Sequence, residues 1–265
     1  MTIAPTPENL VVFTDLDATL LDHETYSWEP ARPALTCLRE QSVPVILCSS
    51  KTLAEMQQIA AELELHLPLV VENGAAIALP PTDNDAWSVQ AMGTPRTEVL
   101  HVLHALRDEH GWDFQGFGDW DDDGVALHTG LPTDRAARAR QRHGTEPILW
   151  HDSDANWQDC LTALAEKNLR AVAGGRFIHV MGHFDKADGM QAVLKHLQRQ
   201  HNSVTVALGD SPNDEAMLSA ADIAVVIQSP RTDLVQPTAS KVIRTLHSGP
   251  AGWNEAMQRI IQSMS

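Results

Sequence analysis

LVVFTDLDATL, residues Leu10 to Leu20, decides the reading of this chain. Leu10 to Thr14 is a short run of apolar and β-branched residues. Such a run reads as a strand buried on both faces, the kind found in parallel sheets. Asp15 and Asp17 follow it directly. In open α/β sheets the ligand site lies beyond the carboxyl ends of the strands, so these two carboxylates stand where chemistry is expected.

Working outward, the same pattern recurs. The spacing predicts a helix over 33–40, a buried strand over 43–48, a helix over 52–65 and a strand over 68–71 ending in the turn Glu72-Asn73-Gly74. After residue 186 it returns: helix 187–199, strand 204–208, helix 212–220, strand 223–227 and a terminal helix 252–261. Alternating strands and helices imply a parallel α/β sheet with right-handed crossovers.

The middle of the chain differs. It reads as helix 95–109, an aromatic and acidic loop 111–124, a basic helix 133–143, a helix 157–167, and two strands, 170–173 and 177–181, around Gly174-Gly175, a hairpin signal. The expected architecture is therefore a Rossmann-like parallel-sheet core, residues 1–84 and 184–265, split by an inserted α+β cap, residues 85–183. Pro80 to Asp85 and Gly182 to Asp185 are the expected hinges.

Composition narrows the function. The chain has 265 residues and a formal net charge of -16. That field repels nucleic acid and an anionic membrane face, so neither is expected as a partner. An anionic small substrate would need a local cation. Cys37, Cys48 and Cys160 lie far apart with no CxxC, as reduced thiols do. MTIAPTPENL has no signal-peptide pattern and no apolar run spans a membrane, so the cytoplasm is the expected compartment.

Four segments carry the chemistry. A carboxylate such as Asp15 can attack phosphorus and form an acyl-phosphate, and a second, Asp17, can protonate the leaving oxygen and later activate water. Alone, a DxD is more often a solvated Asp pair in a turn. Asp210 and Asp214 follow another buried strand in VALGDSPNDEAML and could hold Mg²⁺, which screens an anionic ester; Asp210 could instead cap the next helix. Ser49, in VILCSSKT, could bind a phosphoryl oxygen or cap its helix. Lys186 could neutralise the transferring phosphoryl group or lie in solvent. Together, in this order, they supply nucleophile, acid/base, phosphate clamp and metal site.

These segments resemble the four motifs of the haloacid dehalogenase-like phosphatase superfamily. A finer resemblance, to its mannosyl-3-phosphoglycerate phosphatases, is carried by SSKT (49–52), ENGAAI (72–77), GFGD (116–119), EPILW (146–150), GGRFIHVMG (174–182) and GDSPND (209–214). The resemblance implies an Mg²⁺-dependent phosphatase releasing mannosylglycerate, a compatible solute. It implies Asp15 as nucleophile and metal ligand. Asp17 would be acid/base and offer its backbone carbonyl to the metal. Asp210 would be a metal ligand, and Asp214 a ligand or a supporting partner. Ser49 and Lys186 would bind the phosphoryl group. Within the matching segments Ser50, Lys51, Asn73, Arg176, His179 and Asn213 are read as substrate-binding. The Arg176 guanidinium suits a glycerate carboxylate; a surface Arg beside a core-edge His is the competing reading. The alternative substrates are glucosyl-3-phosphoglycerate or another sugar phosphate. The alternative class is a non-catalytic binding protein on the same fold. The acidic run Asp119 to Asp123 lacks EF-hand spacing and reads as a solvated loop. The arginines of 135–142 read as a solvated helix face.

Overall fold

The computed structural model describes residues 4–82, 86–173, 176–201 and 203–264. The turn glycines Gly174 and Gly175, and the end of the expected hinge at 83–85, lie outside them. The chain divides into two compact units. The first comprises Met1–Ser49, Leu65–Val70 and Asp185–Ser265, the second Ser50–Glu64 and Val71–Phe184.

In the first unit β1 (Leu10–Thr14), β2 (Val45–Leu47), β10 (Val204–Gly209), β11 (Ile223–Gln228) and β12 (Lys241–Ser248) form one parallel sheet in the order β12-β11-β10-β1-β2. β1 is an inner strand, flanked by β10 and β2, and wholly buried. The chain moves from β1 to β2 on one side, and β10 joins on the other. The strand order therefore reverses at β1, which is where α/β sheets place their ligands. Helices α1 (Arg32–Glu40), α7 (Lys186–His196), α8 (Glu215–Ala220) and α9 (Gly249–Gln262) pack around this sheet. The start of α7 is fixed by a capping box between Asp185 and Asp188.

The second unit is built on an antiparallel sheet in the order β6-β7-β9-β8, from β6 (Phe114–Gly116), β7 (Thr145–Trp150), β8 (Arg170–Ala173) and β9 (Ile178–Met181). Val99, Leu103 and Leu106 of α3 (Arg96–His110) and Cys160 and Leu164 of α6 (Asp154–Glu166) bury its apolar face. α4 (Asp122–Thr129) packs on α5 (Thr133–Ala139), and β4 (Ala76–Leu79) pairs with β5 (Ser88–Ala91). The unit also takes in α2 (Leu53–Glu62), whose capping residue Thr52 donates through its hydroxyl to the Arg138 carbonyl.

The compact units divide the chain at 49/50, 64/65, 70/71 and 184/185; within the second, β4 pairs with β5 and α2 packs on α5. Two expectations need correction. The 111–124 segment is not a plain loop. It contains β6 and opens α4, with Asp121 accepting from the Gly124 N–H as its cap. The basic helix stops at Ala139; beyond it Arg142 and the His143 N–H reach a buried carboxylate described below.

Candidate active site

Asp15, Ser49 and Asp210 lie just past the carboxyl ends of β1, β2 and β10. Thr14 is level with Leu47 on one side and Leu208 on the other, so the three residues emerge from adjacent strands. Lys186, the first residue of α7, is fully buried and aims at them. Its Nζ donates to Asp15 Oδ1 and to Asp214 Oδ1, each at 2.6 Å. Asp214 Oδ2 accepts from the N–H groups of Asp210 and Ser211, both at 3.1 Å. Asp214 thus ties its own loop to Lys186 with both oxygens. Gly209 is required beside it, since an added Cβ would lie 2.4 Å from Asp214 Cβ. Asn213, on the same loop, accepts from the Ser211 hydroxyl.

Burial pushes Asp15 well above the usual carboxylate range. The Asp214 charge adds to this, Lys186 opposes it, and Asp17 and Asp210 raise it further. Burial and Asp214 likewise push Asp210 up to about 6, against Lys186, the Thr19 hydroxyl and Ser229. Burial alone would deprotonate Lys186, but the charges and hydrogen bonds of Asp15 and Asp214 outweigh it and hold it as the ammonium. The Lys186 ammonium bonds to two of these carboxylates, Asp15 and Asp214, with Asp210 beside them. One oxygen each of Asp15, Asp210 and Asp214 lies within 4.8 Å of the others. This crowding of hard, buried oxygen donors fits Mg²⁺. The Asp17 carboxylate is not in that trio, and the family resemblance assigns it to the metal only through its backbone carbonyl.

The remaining expected substrate residues, Ser50, Lys51, Asn73, Arg176 and His179, belong to the second unit. Two of them, Ser50 and Lys51, bond through their carbonyls to a network around Glu72. Glu72 is fully buried, with φ at +51°, and Asn73 and Gly74 continue in the left-handed region at +56° and +94°. Glu72 Oε1 accepts from the His143 N–H at 2.6 Å, and Oε2 accepts from Thr145 N at 3.1 Å and from the Thr145 hydroxyl at 2.8 Å. The Lys51 carbonyl accepts from Glu72 N, and the Ser50 carbonyl from Arg142 Nη2. Burial would raise Glu72, but the bond from His143, the Arg142 charge and the other donors bring it down to about 2. His179 is pulled down to about 3 by burial first and then by Arg142.

Arg176 stands apart from this group. It is exposed and donates to the His128 carbonyl. The solvated-face reading of the arginines fails for Arg142, whose side chain is 4% exposed. Arg138 and Arg140 pair with Asp134 and Asp122. In the acidic run, Asp119 pairs with Arg107, and Asp121 caps α4. A run of like charges in sequence is here a set of separate local partners.

The sequence pattern of the haloacid dehalogenase-like hydrolases matches residues 12–249. A relative from Methanococcoides burtonii, a glucosyl-3-phosphoglycerate/mannosyl-3-phosphoglycerate phosphatase, is 36% identical over 95% of this chain and 97% of its own. Among solved structures, the haloalkanoate-superfamily phosphatase BT1666 of Bacteroides thetaiotaomicron superposes with a TM-score of 0.70 at 18% identity, covering 98% of each chain. TM0651 of Thermotoga maritima does so with 0.68 at 16% identity, over 95% of this chain and 97% of its own. The chain belongs to the haloacid dehalogenase-like hydrolases, as a phosphoric monoester hydrolase.

Proposed function

We propose that this hydrolase cleaves mannosyl-3-phosphoglycerate to mannosylglycerate and phosphate, with Mg²⁺ as cofactor and Asp15 as nucleophile. One observation carries the chemistry: the buried Asp15 carboxylate held at 2.6 Å by the Lys186 ammonium, beside Asp210 and Asp214. An Asp15 oxygen attacks phosphorus, the bond from phosphorus to the ester oxygen breaks, and Asp17 gives that oxygen its proton. Asp17 then takes a proton from water, the water oxygen attacks the acyl-phosphate, and the Asp15 carboxylate is released with inorganic phosphate. Lys186 and Ser49 hold the phosphoryl oxygens. Mg²⁺, held by Asp15, Asp210, Asp214 and the Asp17 backbone carbonyl, supplies the positive charge that lets an anionic nucleophile approach an anionic ester.

The substrate assignment is supported by the Methanococcoides burtonii relative, whose name covers both the glucosyl and the mannosyl ester. In this reading the second unit is the specificity cap. Ser50, Lys51, Asn73, Arg176 and His179, with Asn213 of the core, recognise the non-reacting part of the substrate. The reaction takes place in the cytoplasm, and its product is a compatible solute. The test is kcat/KM with Mg²⁺ over mannosyl-3-phosphoglycerate, glucosyl-3-phosphoglycerate, hexose 6-phosphates and p-nitrophenyl phosphate. The mannosyl ester is expected to rank first. A higher value for the glucosyl ester moves the assignment to that sugar, and a preference for hexose phosphates overturns it.

A further inference from the structure

Gly252, Trp253, Asn254 and Glu255, in the first turns of α9, contact β12, β1 and α1 of the first unit. A Cβ on Gly252 would lie 2.0 Å from the His247 carbonyl oxygen, so the helix starts directly on the end of β12. Asn254 Oδ1 accepts from the Ala34 N–H at 3.0 Å, in the first turn of α1. Glu255 accepts from the N–H groups of Leu246 and His247. These three contacts fix the register of α9, and with it the fully buried indole of Trp253.

Trp253 Nε1 donates to Thr14 Oγ1 at 3.0 Å, and Thr14 Oγ1 donates to the Asp15 carbonyl oxygen at 2.8 Å. The direction of this chain has no alternative. An indole N–H can only donate, a peptide carbonyl can only accept, and the hydroxyl between them does both. Trp253 and Thr14 are 0% exposed, so water does not compete for either bond.

We infer that Trp253 and Thr14 are positioning residues for Asp15, an inference that rests on the reading of Asp15 as nucleophile. Asp15 N donates to the Leu208 carbonyl, which fixes the peptide plane before its Cα. The Thr14 hydroxyl fixes the plane after it. With both planes held, the direction of the Asp15 Cα–Cβ bond is set by backbone geometry before substrate arrives. A nucleophile oriented in advance loses less entropy on reaching the attacking geometry. The C-terminal helix, though distant in sequence, is thereby part of the apparatus that aims the carboxylate.

The experiment uses the whole chain with Mg²⁺ and p-nitrophenyl phosphate. Thr14→Val removes the hydroxyl at nearly constant volume, Thr14→Ser returns it, and Trp253→Phe removes only the N–H donor and part of the ring. Loss of one hydrogen bond's worth of alignment is expected to lower kcat and the single-turnover rate of Asp15 phosphorylation about three- to tenfold, with KM unchanged. Thr14→Ser should recover most of the rate, and Thr14→Val/Trp253→Phe should be no slower than Thr14→Val, because the chain is already broken. Full kcat in Thr14→Val overturns the inference, as do equal losses in Thr14→Val and Thr14→Ser, which would mean packing alone. If Thr14→Val does not fold, Trp253→Phe carries the test, and its full kcat overturns the inference. Asp15→Asn separates the two layers. Turnover by that variant overturns the nucleophile and this inference together, whereas an inert Asp15→Asn beside a fully active Thr14→Val overturns the inference alone.

Discussion

Lys186 Nζ lies 2.6 Å from Asp214 Oδ1, and neither side chain is exposed. The same ammonium reaches Asp15, so one buried cation ties the 210–214 loop to the end of β1. Lys186→Met fills the space without the charge and leaves Asp15, Asp210 and Asp214 facing one another. Removing one partner of a buried pair costs about 3–5 kcal/mol. We expect a loss of that order in urea denaturation, together with loss of turnover. Lys186→Arg should not restore activity, since a planar fork cannot meet two carboxylates as a point charge does. A stable, active Lys186→Met protein would show that the pair is dispensable.

The metal is tested by removal. Activity should disappear in EDTA and return with Mg²⁺. Asp210→Ala takes one carboxylate from the trio and should raise the Mg²⁺ concentration needed for half-activity by tenfold or more, about 1.4 kcal/mol in binding. Mg²⁺ should also raise the unfolding temperature of the unsubstituted chain, as a ligand specific to the folded state does. Full turnover in metal-free buffer sinks the assignment.

The fold was legible where burial is complete. β1, β10 and β11 are continuous apolar runs because both faces are covered, and such runs survive in any reading of the sequence. β12 was missed because it is an edge strand: Lys241, Val242, Arg244, Leu246, His247 and Ser248 are exposed, so no apolar run marks it. β7 was missed because Pro147 argues against an inner strand, yet it pairs on both sides. Asp15, Ser49, Lys186 and Asp210 stand out as a candidate site because each follows or begins a regular element. Glu72 had no such signal. Nothing in the residue types distinguishes a turn at Glu72-Asn73-Gly74 from a left-handed run that buries a carboxylate. Its donors lie some seventy residues away, in a stretch that looked like the tail of a basic helix.

That buried carboxylate makes a prediction about acid. Glu72 falls from an ordinary value of 4.5 to about 2 in the folded chain. The unfolded chain therefore binds more protons between these values, so the contribution is complete above about pH 4.5 and is lost as pH falls towards 2. His179, lowered from 6.5 to about 3, acts in the same direction over the window between those values, since only the unfolded chain takes up its proton there. His143, raised by its bond to Glu72, acts oppositely and stabilises below about pH 6.5. Urea midpoints measured from pH 7 to pH 4 should fall. His179→Phe should flatten that slope, and Glu72→Gln should destabilise the chain at pH 7 by about 3 kcal/mol. A Glu72→Gln protein as stable as the parent at pH 7 would contradict the role assigned to this network.

Arg176 tests whether the second unit recognises the part of the substrate that does not react. Its guanidinium is exposed, and one of its five N–H groups donates to the His128 carbonyl, which holds the side chain in a defined place. A fork held this way loses little further entropy when a carboxylate arrives, which favours it as the glycerate contact. p-Nitrophenyl phosphate carries neither glycerate nor sugar and cannot use the contact. Arg176→Ala should therefore lower kcat/KM for mannosyl-3-phosphoglycerate by about 1.5–3 kcal/mol, roughly ten- to a hundredfold, and leave the aryl ester within about twofold. Arg176→Lys keeps the charge and loses the fork, so it should recover only part of the loss. Equal losses on both esters would mean that Arg176 supports the fold of its own unit through His128, and the specificity role would pass to the group around Glu72.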